Sequence, residues 1–134
     1  MKKKWSPEWK SSKQPRKQRK YRHNAPMHVK HKFVSVNLSP ILRKRYEKRS
    51  MPVRKGDEIK VMRGSFKGKK GKIDRISLKK CKVYIEDIKM KKVDGSEILR
   101  PFQPSNLMIT ALNIDDKKRK AVLERKMQKK EVKK

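Results

Sequence analysis

The chain has 134 residues, 43 of them lysine or arginine and 13 aspartate or glutamate, so its formal net charge is +30 while only 33% of its residues are hydrophobic. That supply of apolar side chains supports one small core with basic extensions and excludes a large or multidomain architecture. A charge this one-sided implies a polyanionic partner, with nucleic acid ahead of an anionic membrane.

No apolar run approaches the roughly 20 residues needed to cross a bilayer, and the N-terminus lacks the apolar stretch of a signal peptide, so a cytoplasmic protein is expected. The single cysteine, Cys81, excludes an intramolecular disulfide and suits a reducing compartment. Charge is densest at the start, where residues 1 to 56 carry 19 basic and 2 acidic side chains.

Residues 1 to 38 contain Lys2-Lys3-Lys4 and Arg16-Lys17-Gln18-Arg19-Lys20 with Arg22, interrupted by Pro7, Pro15 and Pro26. They predict an extended basic arm, disordered in isolation, because too few apolar groups are present to offset the entropy of ordering. Trp5, Trp9, Tyr21 and Phe33 lie among the cations, as stacking on exposed bases would require; a solvated tail or a localisation signal is the plainer reading. His23, His28 and His31 fall within nine residues but lack a further ligand nearby, so contacts to phosphate or bases are expected of them rather than metal binding.

A short helix is predicted over 39–51, with Ser39 as its cap, Pro40 at its first position, Leu42 and Tyr46 on a face that docks on the domain behind it, and Met51-Pro52 as its stop. A barrel is predicted over 52–114. Ile59 and Val61 alternate with polar neighbours as in a half-buried strand. A loop follows in which Gly64, Gly68 and Gly71 can take positive φ and present backbone N–H groups between lysines with no nearby acid. Ile73, Ile76 and Leu78 form a strand with a slip of register, read as a bulge, followed by the basic turn Lys79-Lys80-Cys81-Lys82. Val83 and Ile85 point inward from the next strand. Asp94-Gly95 signals a type I′ hairpin joining 90–93 to 96–100, and 106–112 closes the series. A basic helix and tail follow over 115–134, capped by Asp115 and Asp116, with an Asp116–Lys120 pair, a Leu123 and Met127 stripe, and a frayed end.

Catalysis finds no support in these residues. Gly71-Lys72 is followed by Ile73 rather than the Ser or Thr of a phosphate-binding loop, and the acidic pairs Asp57-Glu58, Glu86-Asp87 and Asp115-Asp116 sit among lysines as charge balance. No catalytic residue, cofactor, metal or small-molecule substrate is expected.

The run from Gly56-Asp57 through Ile59-Lys60-Val61 and Gly64, Gly68 and Gly71 to Lys72-Ile73 resembles the KOW motif, which implies an SH3-like barrel of the kind found in ribosomal proteins and transcription elongation factors. Asn24-Ala25-Pro26-Met27-His28-Val29, Leu38-Ser39-Pro40, Arg49-Ser50-Met51-Pro52-Val53-Arg54-Lys55, Pro104-Ser105-Asn106-Leu107-Met108-Ile109-Thr110 and Leu123-Glu124-Arg125-Lys126 are similar to the large-subunit ribosomal protein L twenty-four family in its archaeal form, whose eukaryotic members are called L twenty-six. The family often has His where this chain has Gln103, and the Trp5 to Trp9 segment matches no familiar pattern.

The fold expected is therefore mainly β: an SH3-like barrel of about five strands with a basic extended N-terminal arm, a short preceding helix and a C-terminal helix. The resemblance implies a non-enzymatic, ribosome-bound monomer that binds large-subunit ribosomal RNA early in assembly, near the polypeptide exit and beside other ribosomal proteins. A KOW elongation factor and a nucleic-acid-compacting basic protein are the alternatives. Candidate RNA contacts in the arm are Arg16, Lys17, Arg19, Lys20, Arg22, His23, His28, Lys30, His31 and Lys32. Arg43, Arg49, Arg54 and Lys55 follow around the short helix, and Arg63, Gly64, Lys67, Gly68, Lys69, Lys70, Gly71 and Lys72 in the loop.

Overall fold

Alternation of Glu58, Ile59, Lys60 and Val61 commits β3 (Glu58–Val61) to one buried face, and both of its neighbours are supplied by other segments of the chain. In the computed structural model, which describes the backbone of residues 5–131 and the side chains of residues 5–125, β3 lies between β4 (Lys70–Ser77) and β7 (Leu107–Ala111), antiparallel to both. The remaining strands are β1 (Ser35–Leu38), β2 (Ser50–Pro52), β5 (Lys82–Lys91) and β6 (Glu97–Phe102). The order is β2-β1-β7-β3-β4-β5-β6, with β1 and β7 the one parallel pair among the described residues. Helices α1 (Pro15–Asn24), α2 (Met27–Phe33), α3 (Pro40–Tyr46) and α4 (Lys117–Glu131) complete it, making the mainly β, SH3-like arrangement that the KOW resemblance implies.

The sheet wraps a single core in which Val36, Leu38, Ile59, Val61, Ile73, Val83, Ile85, Leu107 and Ile109 are almost wholly excluded from solvent. Burial of each contributes about 1.5–3 kcal/mol before entropy is counted. β4 serves both halves of the sheet by bending: residues 70–72 pair with β3, residues 73–77 pair with β5, and the register shifts between Ile73 and Arg75, where the sequence predicts a bulge. Pro101 is accommodated because β6 is an edge strand.

Four expectations are corrected. The arm is not extended: residues 15–24 and 27–33 are helical, and Ser35–Leu38 enters the sheet as β1 between β2 and β7, with Val36 and Leu38 in the core. The helix after Ser39 stops at Tyr46, where Glu47 takes φ +51°, and Met51 lies buried on β2 instead of closing a helix. In the hairpin only Gly95 has positive φ, so the connection is a short loop with Gly95 in the left-handed position, not a type I′ turn; Lys92 N–H donates to the Ser96 carbonyl and the Asp94 carboxylate accepts from Ser96. Asp116 pairs with Arg54, not Lys120. Lys2 to Lys4, the Met127 side chain and the tail after residue 131 lie outside the described residues.

Helix α4 is attached by a buried ion pair. Asp57 is fully buried and Arg119 is 4% exposed. Arg119 Nη1 donates to Asp57 Oδ1 and Nη2 to Oδ2, each at 2.7 Å. The same carboxylate accepts from the backbone N–H of Arg54 at 2.8 Å and of Asn113 at 3.0 Å, and Nη1 also reaches the Asn113 carbonyl at 2.7 Å. Leu123 then enters the core, and Lys48 Nζ donates to the Val122 carbonyl.

Removing one member of a buried, hydrogen-bonded pair leaves the other uncompensated, which costs about 3–5 kcal/mol. Asp57→Ala and Arg119→Ala are each expected to lose about that much in chemical denaturation of the full chain, whereas Asp57→Leu combined with Arg119→Met should recover much of it. Additive losses in the double variant would show that the two side chains act independently.

Candidate nucleic-acid interface

Between β3 and β4 the chain turns through residues 62–69, and the turn is held by its own backbone. Gly68 N–H donates to the Val61 carbonyl at 2.8 Å, Lys67 N–H to the Gly64 carbonyl at 3.0 Å, and Lys69 N–H to the Phe66 carbonyl at 3.2 Å. Gly64 and Gly68 both take φ +90°, a conformation that side chains with a Cβ rarely adopt. Three of the amides expected to face phosphate are therefore used inside the loop, and the side chains are what it offers to a ligand.

Gly71 departs from expectation in its conformation. It sits in β4 without positive φ, and a Cβ there would lie 2.6 Å from Ile85 Cγ2, so glycine is required by close packing rather than by the turn. Phe66 packs partly against the core, edge-on to Phe102 with ring centroids 6.0 Å apart, while Lys69 Nζ and the Arg100 guanidinium lie 5.3 and 5.4 Å from its ring centroid. Such stacking draws the two cations toward one end of the loop.

Arg63, Lys67, Lys69, Lys70 and Lys72 are all exposed. The loop is not free of acids, contrary to expectation: Glu58, Glu86 and Asp87 line a shallow depression of about 320 Å³ together with Lys70, Gly71 and Lys72. Arg63, Lys67 and Lys69 do not border that depression.

The arm has a small core of its own. Tyr21, Ala25 and Val29 are buried, with Trp5, Trp9 and Phe33 packed against them. Trp5 lies 5.3 Å from Tyr21 and Tyr21 5.9 Å from Phe33, centroid to centroid. Gln18 Nε2 donates to the carbonyls of Trp9, Lys10 and Ser12, closing the 3₁₀ turn Pro7–Ser11 onto α1. Aromatic residues that the sequence assigns to base stacking thus bury one another, and Tyr21 has little surface left for a base.

Arg16, Arg19, Lys20 and His23 share one face of α1 and line an open groove of about 400 Å³, with Lys20 Nζ also 5.6 Å from the Trp9 ring centroid. Arg19, Arg22 and His23 also border a second crevice, of about 540 Å³, whose far wall is Lys79 and Lys80 of the β4–β5 turn with Gln103. Lys17, His28, His31 and Lys32 are exposed on the arm helices, and Lys30 Nζ donates to the His23 carbonyl at 3.1 Å.

Cations nearer the sheet have intramolecular partners. Arg43 Nε donates to the Leu38 carbonyl at 2.7 Å, Arg54 pairs with Asp116, and Lys55 lies 3.6 Å from Asp74, while Arg49 is exposed beside β2. The Asp116 carboxyl is held below the usual carboxylate range, chiefly by the Lys118 N–H and further by Arg54; Asp94 is lowered by hydrogen bonds from the Ser96 hydroxyl and N–H. Lys79, Lys80 and Gln103 are absent from the sequence-based set of contacts. The sequence marks Lys79 and Lys80 only by the lysine run and Gln103 only by its departure from the family's usual His, and their neighbourhood to α1 exists only in the fold.

A family profile described as ribosomal proteins L26 (eukaryotic) and L24 (archaeal) matches residues 12–126. The chain belongs to this family. Large ribosomal subunit protein uL24 of Methanothrix thermoacetophila is 48% identical over 114 residues, covering 85% of this chain and 98% of that one. The proteins of the same name from Methanosphaera stadtmanae and Methanosarcina barkeri are 44% identical over 116 residues (87% and 99% of the two chains) and 50% identical over 108 (81% and 93%). The matched span takes in both the loop and the α1 face, and the Trp5 to Trp9 segment falls before it.

The contrast between glycines is testable in this family member. Gly71→Ala is expected to destabilise by about 1–3 kcal/mol through overpacking against the Ile85 Cγ2 methyl, and to cost less when introduced beside Ile85→Ala, which lacks that methyl. Gly68→Ala, which meets open space but keeps a positive φ, should cost about 1–2 kcal/mol with either residue at position 85. Thermal melts of Gly71→Ala, Gly68→Ala, Ile85→Ala and the two double variants decide it.

Proposed function

We propose that the chain is a non-enzymatic structural constituent of the large ribosomal subunit that binds large-subunit ribosomal RNA as a monomer, joining early in assembly near the polypeptide exit and beside other ribosomal proteins. Residence on cytoplasmic ribosomes follows from that role. The observation that carries the reading is the separation of work between backbone and side chains: in both the loop and α1 the backbone and aromatic groups are consumed internally, and exposed lysine and arginine termini are projected outward. Surfaces of this kind neutralise phosphates without requiring a regular duplex groove. Family membership supports the ribosomal setting, since the relatives bear the name large ribosomal subunit protein.

Binding to a large-subunit rRNA transcript, compared with duplex DNA of equal length, tests the reading; equal affinity at every salt concentration would sink it in favour of a general compacting protein. Within RNA binding, Lys67→Glu/Lys69→Glu is expected to reduce the slope of log affinity against log salt by at least about 1.4–1.8, since each phosphate contact contributes roughly 0.7–0.9. Lys70→Glu/Lys72→Glu, flanked by Glu58, Glu86 and Asp87, should reduce it less. Thermal midpoints should stay near the parent value in both.

Deletion of residues 1–33, which removes 12 basic side chains and Glu8, is expected to flatten the slope further while strand content measured by circular dichroism persists. Deletion to residue 38 removes β1 from beside β7 and should abolish the cooperative transition.

A further inference from the structure

Two walls from different parts of the chain form the 540 Å³ crevice: Arg19 and Arg22 on α1, with Phe33 at the end of α2, face Lys79, Lys80 and Gln103 on the sheet side. Its volume falls within the range of about 300–1,000 Å³ that encloses a small-molecule-sized group. No acidic residue lines it, and none of its four lysines and arginines makes an ion pair among the described residues.

The sheet-side lysines are placed by a turn with its own hydrogen bonds. Cys81 adopts φ +50° and donates its N–H to the Leu78 carbonyl at 3.3 Å, and Lys80 N–H donates to Ser77 Oγ at 3.4 Å. Gln103 is exposed, directly before the buried Pro104, and its side-chain amide makes no hydrogen bond to a described residue. The crevice thus combines converging cations, one half-buried aromatic ring and one uncommitted group that both donates and accepts.

We propose that this crevice receives a single nucleotide splayed out of an RNA strand, with its flanking phosphates on Arg19, Arg22, Lys79 and Lys80, its base against Phe33, and its edge hydrogen-bonded by Gln103. This assignment rests on the RNA-binding reading above. Recognition of irregular RNA works through unstacked bases placed on aromatic side chains and hydrogen-bonded at their edges, and a carboxamide matches the adjacent donor and acceptor that base edges present. An acidic peptide would satisfy the cations but leave the ring and the amide unused.

The experiment uses the full chain and a large-subunit rRNA transcript substituted with 4-thiouridine or 6-thioguanosine, irradiated and mapped by mass spectrometry. Crosslinks are expected on peptides containing Phe33 or Cys81. Lys79→Glu/Lys80→Glu should lower the salt slope by at least roughly 1.4–1.8. Gln103→Ala should weaken binding about three- to tenfold with the slope unchanged, as loss of a neutral hydrogen bond requires. All three substituted positions are exposed, so thermal midpoints serve as a control for folding.

Tight RNA binding with crosslinks confined to residues 62–70 and both variants unaffected would overturn the crevice assignment and leave the RNA reading standing. A slope change in the lysine variant, with Gln103→Ala neutral and no crosslink at Phe33 or Cys81, would reduce the crevice to a plain anion contact and likewise overturn it. Absence of any RNA binding would remove both.

Discussion

The carboxylate of Asp57 is shut away from water, and four hydrogen bonds replace the hydration it has lost, two from the Arg119 guanidinium and two from the backbone N–H groups of Arg54 and Asn113. Desolvating both ions costs several kcal/mol apiece, so the pair is tolerated only because geometry and hydrogen bonding are complete on the carboxylate. What it secures is convergence. The segment leading into β3, the end of β7 and the first turn of α4 meet at one point, and Arg119 Nη2 also lies 3.4 Å from the Pro52 carbonyl. With that point fixed, β3 begins in one register and the loop after it emerges at one place on the surface.

The other governing constraint is the excess of charge over apolar surface. A chain at +30 with 33% of its residues hydrophobic cannot bury many groups, so it spends its aromatic residues on itself. Trp5, Tyr21 and Phe33 assemble a minor core that holds α1 and α2, and Phe66 joins the edge of the main one. Charged termini, and the half-exposed ring of Phe33 at the crevice, are left for the partner. This arrangement avoids holding large apolar rings exposed in the free protein while placing cations on stiff elements, which reduces the entropy lost when they meet a polyanion.

Most of the sheet was legible because its signals are local. Two-residue alternation marks Ile59 with Val61 and Val83 with Ile85, the slip after Ile73 marks the bend of β4, and Ser39 with Pro40 marks a helix start. The KOW-like spacing and the likeness of the flanking segments to one ribosomal family were equally visible in the residues. Local signals misled where a glycine or an aromatic residue has more than one use. Gly71 reads as part of a turn until Ile85 is found against it, and Tyr21 reads as a stacking residue until Trp5 and Phe33 are found around it.

Composition, periodicity and turn residues by themselves determined that this is a small, mainly β, strongly basic chain with a helix near its end, because each of those properties is set within a window of a few residues. Tertiary structure alone decided which distant segments share a sheet or a charge. β1 is only four residues long and draws its place from pairing with β7, where Asn37 lies opposite Met108. Asp57 and Arg119 are separated by 62 positions, and each in isolation resembles an ordinary surface ion among lysines. The crevice between α1 and the Lys79–Lys80 turn has the same origin. Contacts of this range depend on how the elements close around a common core, and no local pattern records that closure.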